Sequence, residues 1–303
     1  MSLFTRSVVA VTELGPVEAA ITGTRAGRLL AGRFVAGDTL GEAAETAAAL
    51  NKLGLHVSLD LLGEAVEDRK GAEKATLGYL ECLDRLAVDG LEANISVKLT
   101  QLGLAIDRRV AEASVERLAV AAAQVGATVT IDMEDSRYTA DTVDIYADAQ
   151  TRHGNLGVCL QAYLRRTPDD LERLTPIGGH IRLCKGAYVE AEEIAFQGSD
   201  DVDAAFARLL TVLMAAEGVR PAVATHDPGL IELTRQLGEK RSAGFEFQML
   251  YGVRQDEQRR LVDLGHDVRV YLPFGSAWYP YLTRRLAERP ANAWFFFRAL
   301  VGR

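Results

Sequence analysis

The feature that most constrains the fold is a series of eight short runs rich in apolar and β-branched residues, spread from residue 56 to residue 272. Segments with helical spacing of apolar residues separate them, as in residues 114–124. Strands that alternate with helices are typical of a parallel sheet, and eight such units predict a (β/α)8 TIM-like barrel. The runs are 56–62, 94–99, 128–133, 157–163, 180–185, 221–226, 244–250 and 268–272.

A doubly wound open sheet is the main alternative fold. It would need fewer strands and would usually carry a glycine-rich loop after the first one. The turn after the first run is Gly63-Glu-Ala-Val, which lacks the GxGxxG pattern. The first fifty residues are alanine-rich with helical spacing, so we expect one domain with an N-terminal helical segment over 1–50 and the barrel over 51–303.

The overall composition narrows the classes of protein and the compartments to be considered. The chain of 303 residues has a net charge of −8 and a pI near 5.3, whereas a nucleic-acid-binding protein usually presents a basic surface. Its three cysteines show no CxxC spacing, which favours reduced thiols in the cytoplasm over a structural zinc site. Neither a secretory signal pattern nor a run of about 18 apolar residues is present, so we expect no membrane-spanning helix.

Polar residues cluster where the predicted strands end, which is where a (β/α)8 barrel carries its reactive groups. They could form paired structural layers, but burying charges unpaired is costly, so their number favours a ligand-binding or catalytic site. A metal site is disfavoured because the acidic stretch Asp132, Glu134 and Asp135 has no nearby histidine. The polar residues are Glu64, Lys98, Asp132, Glu134, Asp135, Gln161, Tyr163, Arg182, Lys185, Tyr188, Thr225, His226, Asp227, Glu246, Gln248 and Tyr271.

A Pro/Gly turn and a helix with two adjacent arginines, Arg284 and Arg285, follow the last predicted strand. Tyr281 precedes the pair and Glu288 follows it at three- and four-residue spacing, so these side chains share one helix face. Two guanidinium groups near the end of a core strand suit bidentate binding of a small carboxylate. The alternative is a solvent-exposed basic segment in which Glu288 is an ordinary ion-pair partner.

Five cationic residues are expected at one end of the barrel: Lys98, Arg182, Lys185, Arg284 and Arg285. That many cations suit an anionic ligand with more than one charged group, such as a carboxylate substrate, a phosphate-bearing cofactor or both. Gly186, which follows Lys185, lets a ligand approach the backbone closely. A lysine at a strand end also supports a second chemistry, a lyase that forms a Schiff base on Lys98 or Lys185.

Seven strings, in order along the chain, together resemble the proline dehydrogenase family. The resemblance implies a distorted (β/α)8 barrel, non-covalent FAD, and oxidation of L-proline to Δ1-pyrroline-5-carboxylate, with electrons passed to a membrane quinone. We expect the monofunctional form, in the cytoplasm and in peripheral contact with the inner face of the membrane. The strings are Ile95-Ser-Val-Lys-Leu99, Ile131-Asp132, Leu160-Gln-Ala-Tyr-Leu-Arg165, Ile181-Arg-Leu-Cys-Lys-Gly-Ala-Tyr188, Ala224-Thr-His226, Phe245-Glu-Phe-Gln-Met-Leu250 and Tyr281-Leu-Thr-Arg-Arg-Leu-Ala-Glu288.

The resemblance also implies roles for particular residues of this chain. Lys98, Arg284 and Arg285 would clamp the substrate carboxylate, and Glu64 would close the site by pairing with a clamp arginine. Arg182 would lie beside the reactive edge of the flavin. Residues implied to enclose the substrate ring are Asp132, Ala187, Tyr188, Leu250, Tyr271 and Tyr281. Residues implied to hold or support the flavin are Gln161, Lys185, Gly186, Ala187, Thr225, His226, Gln248 and Glu288.

Two further expectations concern the chemistry. The substrate amine must be neutral when hydride leaves the neighbouring carbon, and a site with several cations favours the neutral amine by repelling an ammonium. The segment between Tyr271 and Tyr281 is short and aromatic, which leaves the size of the pocket around Trp278 open. A non-catalytic barrel that binds a flavin or an amino acid is the third alternative, and it predicts binding without reduction.

Overall fold

The strands form a closed barrel in a computed structural model that describes residues 31–63 and 65–288, with side chains up to Thr283. All eight are parallel and follow chain order around the barrel, with β8 paired to β1. The predicted (β/α)8 barrel is therefore confirmed, and the open sheet is excluded. The strands are β1 (His56–Leu61), β2 (Ala93–Val97), β3 (Val129–Ile131), β4 (Leu156–Gln161), β5 (Gly179–Cys184), β6 (Val219–Ala224), β7 (Glu246–Leu250) and β8 (Asp267–Phe274).

Helices cover the outside of this barrel, and aspartates begin several of them. Asp68, Asp107, Asp135 and Asp227 each accept a hydrogen bond from a backbone N–H of the first helical turn, as N-cap residues do. The helices are α1 (Leu40–Asn51), α2 (Arg69–Asp89), α3 (Arg108–Gln124), α4 (Ser136–His153), α5 (Thr167–Leu174), α6 (Ser199–Ala215), α7 (Pro228–Gly238), α8 (Gln255–Asp263) and α9 (Trp278–Glu288), and a 3-10 turn spans Thr175–Ile177.

Helix α1 confirms the helical prediction for residues 41–50. It packs against β1 and β8, and Thr39 caps it in a capping box with Glu42. Residues 1–30 of the predicted helical segment lie outside the described residues, so the division at residue 50 stays a prediction. None of the described helices is long and apolar enough to cross a membrane.

The two faces of the strands differ sharply in polarity. Outward residues such as Leu59, Ile95 and Ile131 are fully buried in an apolar cluster with the helices. Most (β/α)8 barrels also fill their interior with branched apolar side chains. Here the interior holds charged and polar groups, among them Arg182, at 4% exposure, and Glu246, at 1%. Strand alternation places these groups inside, where each requires a partner.

Helix α9 packs on a second apolar cluster near the C-terminal end of β1. Trp278, Tyr281 and Leu282 are buried there against Phe34 and Leu62. Trp278 is 6% exposed and lies edge-on to Tyr279, with ring centroids 6.3 Å apart. The Trp278 side chain is thus fixed by packing, and this cluster anchors the helix that carries the two arginines.

Candidate active site

Five interior side chains meet at the C-terminal end of the strands, and we call them the mouth cluster: Asp60, Lys98, Asp132, Arg182 and Tyr271. Asp132 lies at its centre. Its Oδ1 accepts a hydrogen bond from Arg182 Nη1, and its Oδ2 accepts one from Tyr271 Oη at 2.7 Å. Lys98 Nζ lies 3.8 Å from the same Oδ2. The Asp132 carboxylate therefore contacts one side chain from β5, one from β8 and one from the residue that follows β2.

Lys98 forms its shortest contact with an aspartate that sequence reasoning missed. Its ammonium donates to Asp60 Oδ1 at 2.5 Å, while Asp60 is 1% exposed and its Oδ2 has no hydrogen-bond partner among the described atoms. Burial alone lowers the pKa of Lys98, but the carboxylates of Asp60 and Asp132 raise that pKa by more. Lys98 is therefore held as an ammonium.

Tyr271 and Arg182 keep their protons as well. Burial, followed by the charges of Asp132 and Asp60, places the pKa of Tyr271 well above its ordinary value. Burial lowers the pKa of Arg182, but the charge of Asp132 raises that pKa, and the net shift is upward. The Arg182 guanidinium lies 5.3 Å from the centre of the Tyr271 ring and also donates to Ser96 Oγ at 2.9 Å. The mouth cluster thus presents a phenol O–H and two permanent cations.

The charges of the mouth cluster balance within the described side chains. Asp60 and Asp132 match Lys98 and Arg182. The expected excess of cations, and the repulsion of a substrate ammonium that follows from it, therefore cannot come from these residues. Both would have to come from Arg284 and Arg285. These residues lie on α9, but their side chains, like that of Glu288, fall outside the described part, as does Glu64.

Lys185 directly follows β5 and so lies at the expected end of the barrel, but its ammonium pairs with carboxylates outside the mouth cluster. Its Nζ lies 2.5 Å from Asp203 Oδ1 on α6 and 3.4 Å from Asp227 Oδ2, which also caps α7. About a third of the Lys185 side chain remains exposed, so it can still reach a ligand at the rim.

The residues after β6 and β7 support each other. Thr225 Oγ1 accepts from the Asp227 N–H at 3.1 Å, which shapes the turn into α7. His226 Nε2 accepts from the Leu250 N–H at 3.0 Å, and its carbonyl accepts from Arg254 Nη1 at 2.5 Å. His226 thus fixes the end of β7, and the flavin-supporting roles of Thr225 and His226 stay predictions.

Gln161 and Gly186 are both held by close neighbours. Gln161 Nε2 donates to the Glu134 carbonyl at 2.8 Å, and its Oε1 accepts from the Ala187 N–H at 3.4 Å. Gly186 has a φ of +117°, and a Cβ there would lie 2.2 Å from the Tyr163 ring. Backbone conformation and Tyr163 therefore already require glycine at this position, without any ligand.

Two predicted ring-enclosing tyrosines lie in different surroundings. Tyr188 is 37% exposed at the rim of the barrel, on the segment between β5 and α6. Tyr281 is 7% exposed and packs in the α9 cluster described above. Leu250 is partly buried as the last residue of β7, beside Tyr271 in the β7–β8 register. The structure thus brings Leu250 and Tyr271 together at the mouth.

A second group of charges closes the opposite end of the barrel, and we call it the base cluster: His180, Arg220, Glu246 and Arg269. Arg269 donates to both oxygens of Glu246, at 2.8 and 3.1 Å. His180 Nε2 lies 3.3 Å and Arg220 Nη2 lies 3.5 Å from the same carboxylate. Sequence reasoning placed Glu246 among the polar strand residues but did not separate the base from the mouth.

Comparison with known proteins agrees with this architecture. The sequence model of the Pro_dh family, described as proline dehydrogenase, matches residues 43–298. Proline dehydrogenase 1 of Bacillus subtilis subsp. natto is 38% identical over 282 residues, which cover 92% of each chain. Proline dehydrogenase of Deinococcus radiodurans is 33% identical over 280 residues, which cover 90% of each chain.

A solved structure extends the comparison to the fold. Proline utilization A of Bdellovibrio bacteriovorus, inactivated by N-propargylglycine, superposes with a TM-score of 0.81 at 25% identity. The match covers 86% of this chain and 33% of that longer protein. The resemblance predicted from seven sequence strings is thus confirmed by identity and by fold. The chain belongs to the proline dehydrogenase family.

Proposed function

We propose that this chain oxidises L-proline to Δ1-pyrroline-5-carboxylate with non-covalent FAD as hydride acceptor, and that its electrons pass on to a membrane quinone. The observation that carries the proposal is Asp132, which joins Arg182, Tyr271 and Lys98 at the mouth of a barrel of this family. This arrangement supplies fixed cations and a tyrosine side chain that can pack against a ligand. None of these groups has to gain or lose a proton during the reaction. Proline catabolism would be the context.

The residues at the mouth fit a flavin dinucleotide. Arg182 supplies a buried permanent cation, which suits a ring system that gains negative charge. Lys185 supplies a partly exposed ammonium, which suits a phosphate group. Gln161 and Gln248 supply amide groups nearby. When bound, FAD would supply, at N5, the acceptor for the hydride that leaves the ring carbon next to nitrogen.

The protein itself supplies position and field. Lys98, Arg284 and Arg285 would hold the substrate carboxylate, which sets the distance of the ring from the acceptor. Tyr271 keeps its proton and donates a hydrogen bond to Asp132, so Tyr271 is not a ready base. The amine proton would therefore pass to water before the hydride leaves. Loss of that proton and of the hydride converts proline into the pyrroline product.

The Schiff-base lyase is less well supported. A Schiff-base lysine must be a neutral amine to attack a carbonyl group. Lys98 has a raised pKa between two carboxylates, and Lys185 is ion-paired to two others. Borohydride trapping with a keto acid tests this alternative directly. A stable adduct on either lysine would favour the lyase over the oxidation.

Anaerobic addition of L-proline to the purified protein, followed by absorbance, tests the proposal. We expect loss of the yellow flavin band, and its return on addition of a soluble quinone. Binding of proline without bleaching would favour the non-catalytic barrel. N-propargylglycine, which like proline is a secondary amine beside a carboxylate, should bleach the band irreversibly.

The clamp is tested in the same assay. Arg284→Met and Arg285→Met should each weaken proline binding and lower kcat/KM roughly 30- to 1000-fold. This corresponds to a loss of about 2–4 kcal/mol of transition-state stabilisation. Arg259→Met is the matched control because Arg259 is exposed on α8 and pairs only loosely with Asp256, at 3.8 Å. Unchanged proline kinetics in both clamp variants would refute the clamp without refuting the oxidation.

A further inference from the structure

A line of hydrogen bonds runs inside the barrel from the base cluster to the mouth cluster. Gln248 Nε2 donates to Glu246 Oε1 at 2.6 Å, and Gln248 Oε1 accepts from Arg182 Nε. Arg182 Nη1 in turn donates to Asp132. Glu246 and Gln248 lie two residues apart on β7 and therefore point to the same face of the strand. The two clusters are thus linked through one amide group.

The orientation of that amide decides whether Arg182 has an acceptor. The carbonyl and NH2 ends of a glutamine side chain have nearly the same shape, so only hydrogen-bond partners select between them. A carboxylate at Glu246 accepts but cannot donate, which turns the NH2 end down and the carbonyl up toward Arg182 Nε. The opposite orientation would set NH2 donors against a guanidinium in a buried site, which is costly.

Glu246 is well suited to impose this orientation. It is 1% exposed, and Arg269 grips both of its oxygens while His180 and Arg220 lie within 3.5 Å. Burial raises its pKa, but Arg269 and then His180 lower that pKa to well below the ordinary value. The acceptor beneath Gln248 is therefore a permanent carboxylate.

We propose that Glu246 is a positioning residue for the reaction: through the Gln248 amide it fixes the plane of the Arg182 guanidinium at the mouth of the barrel. This inference rests on the proposed function only where it links Arg182 to flavin reduction. Glu246 lies at the other end of the barrel from the mouth cluster and acts entirely through Gln248. A purely structural role for Glu246 would affect stability without moving Arg182.

Glu246→Gln is the main test, because it keeps the shape and removes the obligatory acceptor. We expect the limiting rate of anaerobic flavin reduction to fall by about ten- to a hundredfold, the effect of losing a hydrogen bond to a charged group. The KM for proline should change by no more than about twofold, since the clamp is untouched. The control is Arg220→Gln, which weakens the same ion cluster from its half-exposed edge and leaves the Gln248 acceptor in place.

A second readout is independent of flavin and of proline. In the wild-type protein the Arg182 Nε–H is buried and bonded to Gln248. Its proton should therefore exchange slowly with water, which is measured from its 15N-correlated NMR signal. The signal is assigned by its loss in Arg182→Lys. It should shift and exchange rapidly in Glu246→Gln and stay protected in Arg220→Gln. A wild-type reduction rate together with a protected signal in Glu246→Gln would overturn the proposal.

A swapped double variant keeps the proposal testable if Glu246→Gln fails to fold. Glu246→Gln with Gln248→Glu preserves the net charge and the two hydrogen bonds of residue 248, while Arg269 keeps one of its two acceptor oxygens at position 246. It should fold and show a protected Arg182 Nε–H signal. A folded double variant with a freely exchanging signal would reject the positioning role. If wild-type flavin is not bleached by proline, the proposed function fails while the NMR result still decides what holds Arg182.

Discussion

The two ends of the barrel interior use similar residues for different purposes. The base cluster surrounds one carboxylate, Glu246, with Arg269, Arg220 and His180, and Arg269 also donates to the Val57 carbonyl at 2.9 Å. The mouth cluster instead balances two carboxylates against two cations and leaves Asp60 Oδ2 buried without a partner among the described atoms. Arg269 occupies both oxygens of Glu246, whereas one oxygen of Asp60 stays open at the mouth; at the base, His180 Nε2 is the buried atom without a hydrogen-bond partner among the described atoms.

The difference between the two ends indicates that buried charges at the base serve folding and that those at the mouth serve chemistry. A saturated buried pair fixes the structure, and breaking it leaves an uncompensated charge. A buried polar atom without a partner is rare in native proteins and calls for a functional explanation. We therefore expect changes at the base to act mainly on stability and changes at the mouth to act mainly on turnover, with Glu246 as the exception because Gln248 links it to Arg182.

The largest effect should come from Arg269→Met at the base. Arg269 is 14% exposed and is the main partner of Glu246, so its loss should lower the free energy of unfolding by about 3–5 kcal/mol. The pKa of Glu246 is depressed, so its contribution is complete above the unfolded pKa of about 4.3 and is lost as pH falls through the folded value. The difference between wild type and variant should therefore be largest near neutral pH and narrow in acid.

Urea unfolding across this pH range measures both effects. Arg220→Met is the matched control, because Arg220 is half-exposed and touches Glu246 only at 3.5 Å. Its loss should cost less than about 1 kcal/mol. Equal losses of unfolding free energy in the two variants would show that the buried Arg269 contributes no more to stability than the half-exposed Arg220.

Asp132→Asn should give the next largest effect, and on activity. The asparagine keeps the shape but removes the charge that Arg182, Tyr271 and Lys98 share. We expect kcat/KM for proline to fall by about a hundredfold, near 3 kcal/mol. Asp141→Asn on α4, an exposed partner of Arg108, is the control. A stability loss as large as that of Arg269→Met, with unchanged turnover, would reverse the comparison.

Much of this fold could be predicted from the sequence, because each strand leaves a local signal. The eight apolar runs all overlap strands, although β3 is only three residues long since the chain turns at Asp132 toward the N-cap Asp135. Their position at strand ends predicts that Asp135 and Asp227 belong to the site. Their first role is to begin helices, which depends on local backbone geometry.

The partners inside the barrel could not be predicted in the same way. Asp60 alternates with Val57 and Leu59, which marks it as inward, but only the pairing of β1 with β2 brings it to Lys98, 38 residues later. Lys185 turns to Asp203 because α6 places a carboxylate nearby. These contacts depend on how elements pack against each other, which no local pattern encodes. The roles of Arg284 and Arg285 still rest on sequence.

The smallest effect on the free energy of unfolding should come from His180→Gln, which tests whether the base cluster serves stability. Burial lowers the pKa of His180 more than Glu246 raises it. A base with a depressed folded pKa destabilises the protein as pH falls below the unfolded value of about 6.5, because the unfolded chain takes up the proton first. The slope for one proton is at most about 1.4 kcal/mol per pH unit. His180→Gln should therefore flatten the decline in unfolding free energy between about pH 7 and pH 5. An unchanged slope in His180→Gln would mean that His180 gains its proton equally in the folded and unfolded states.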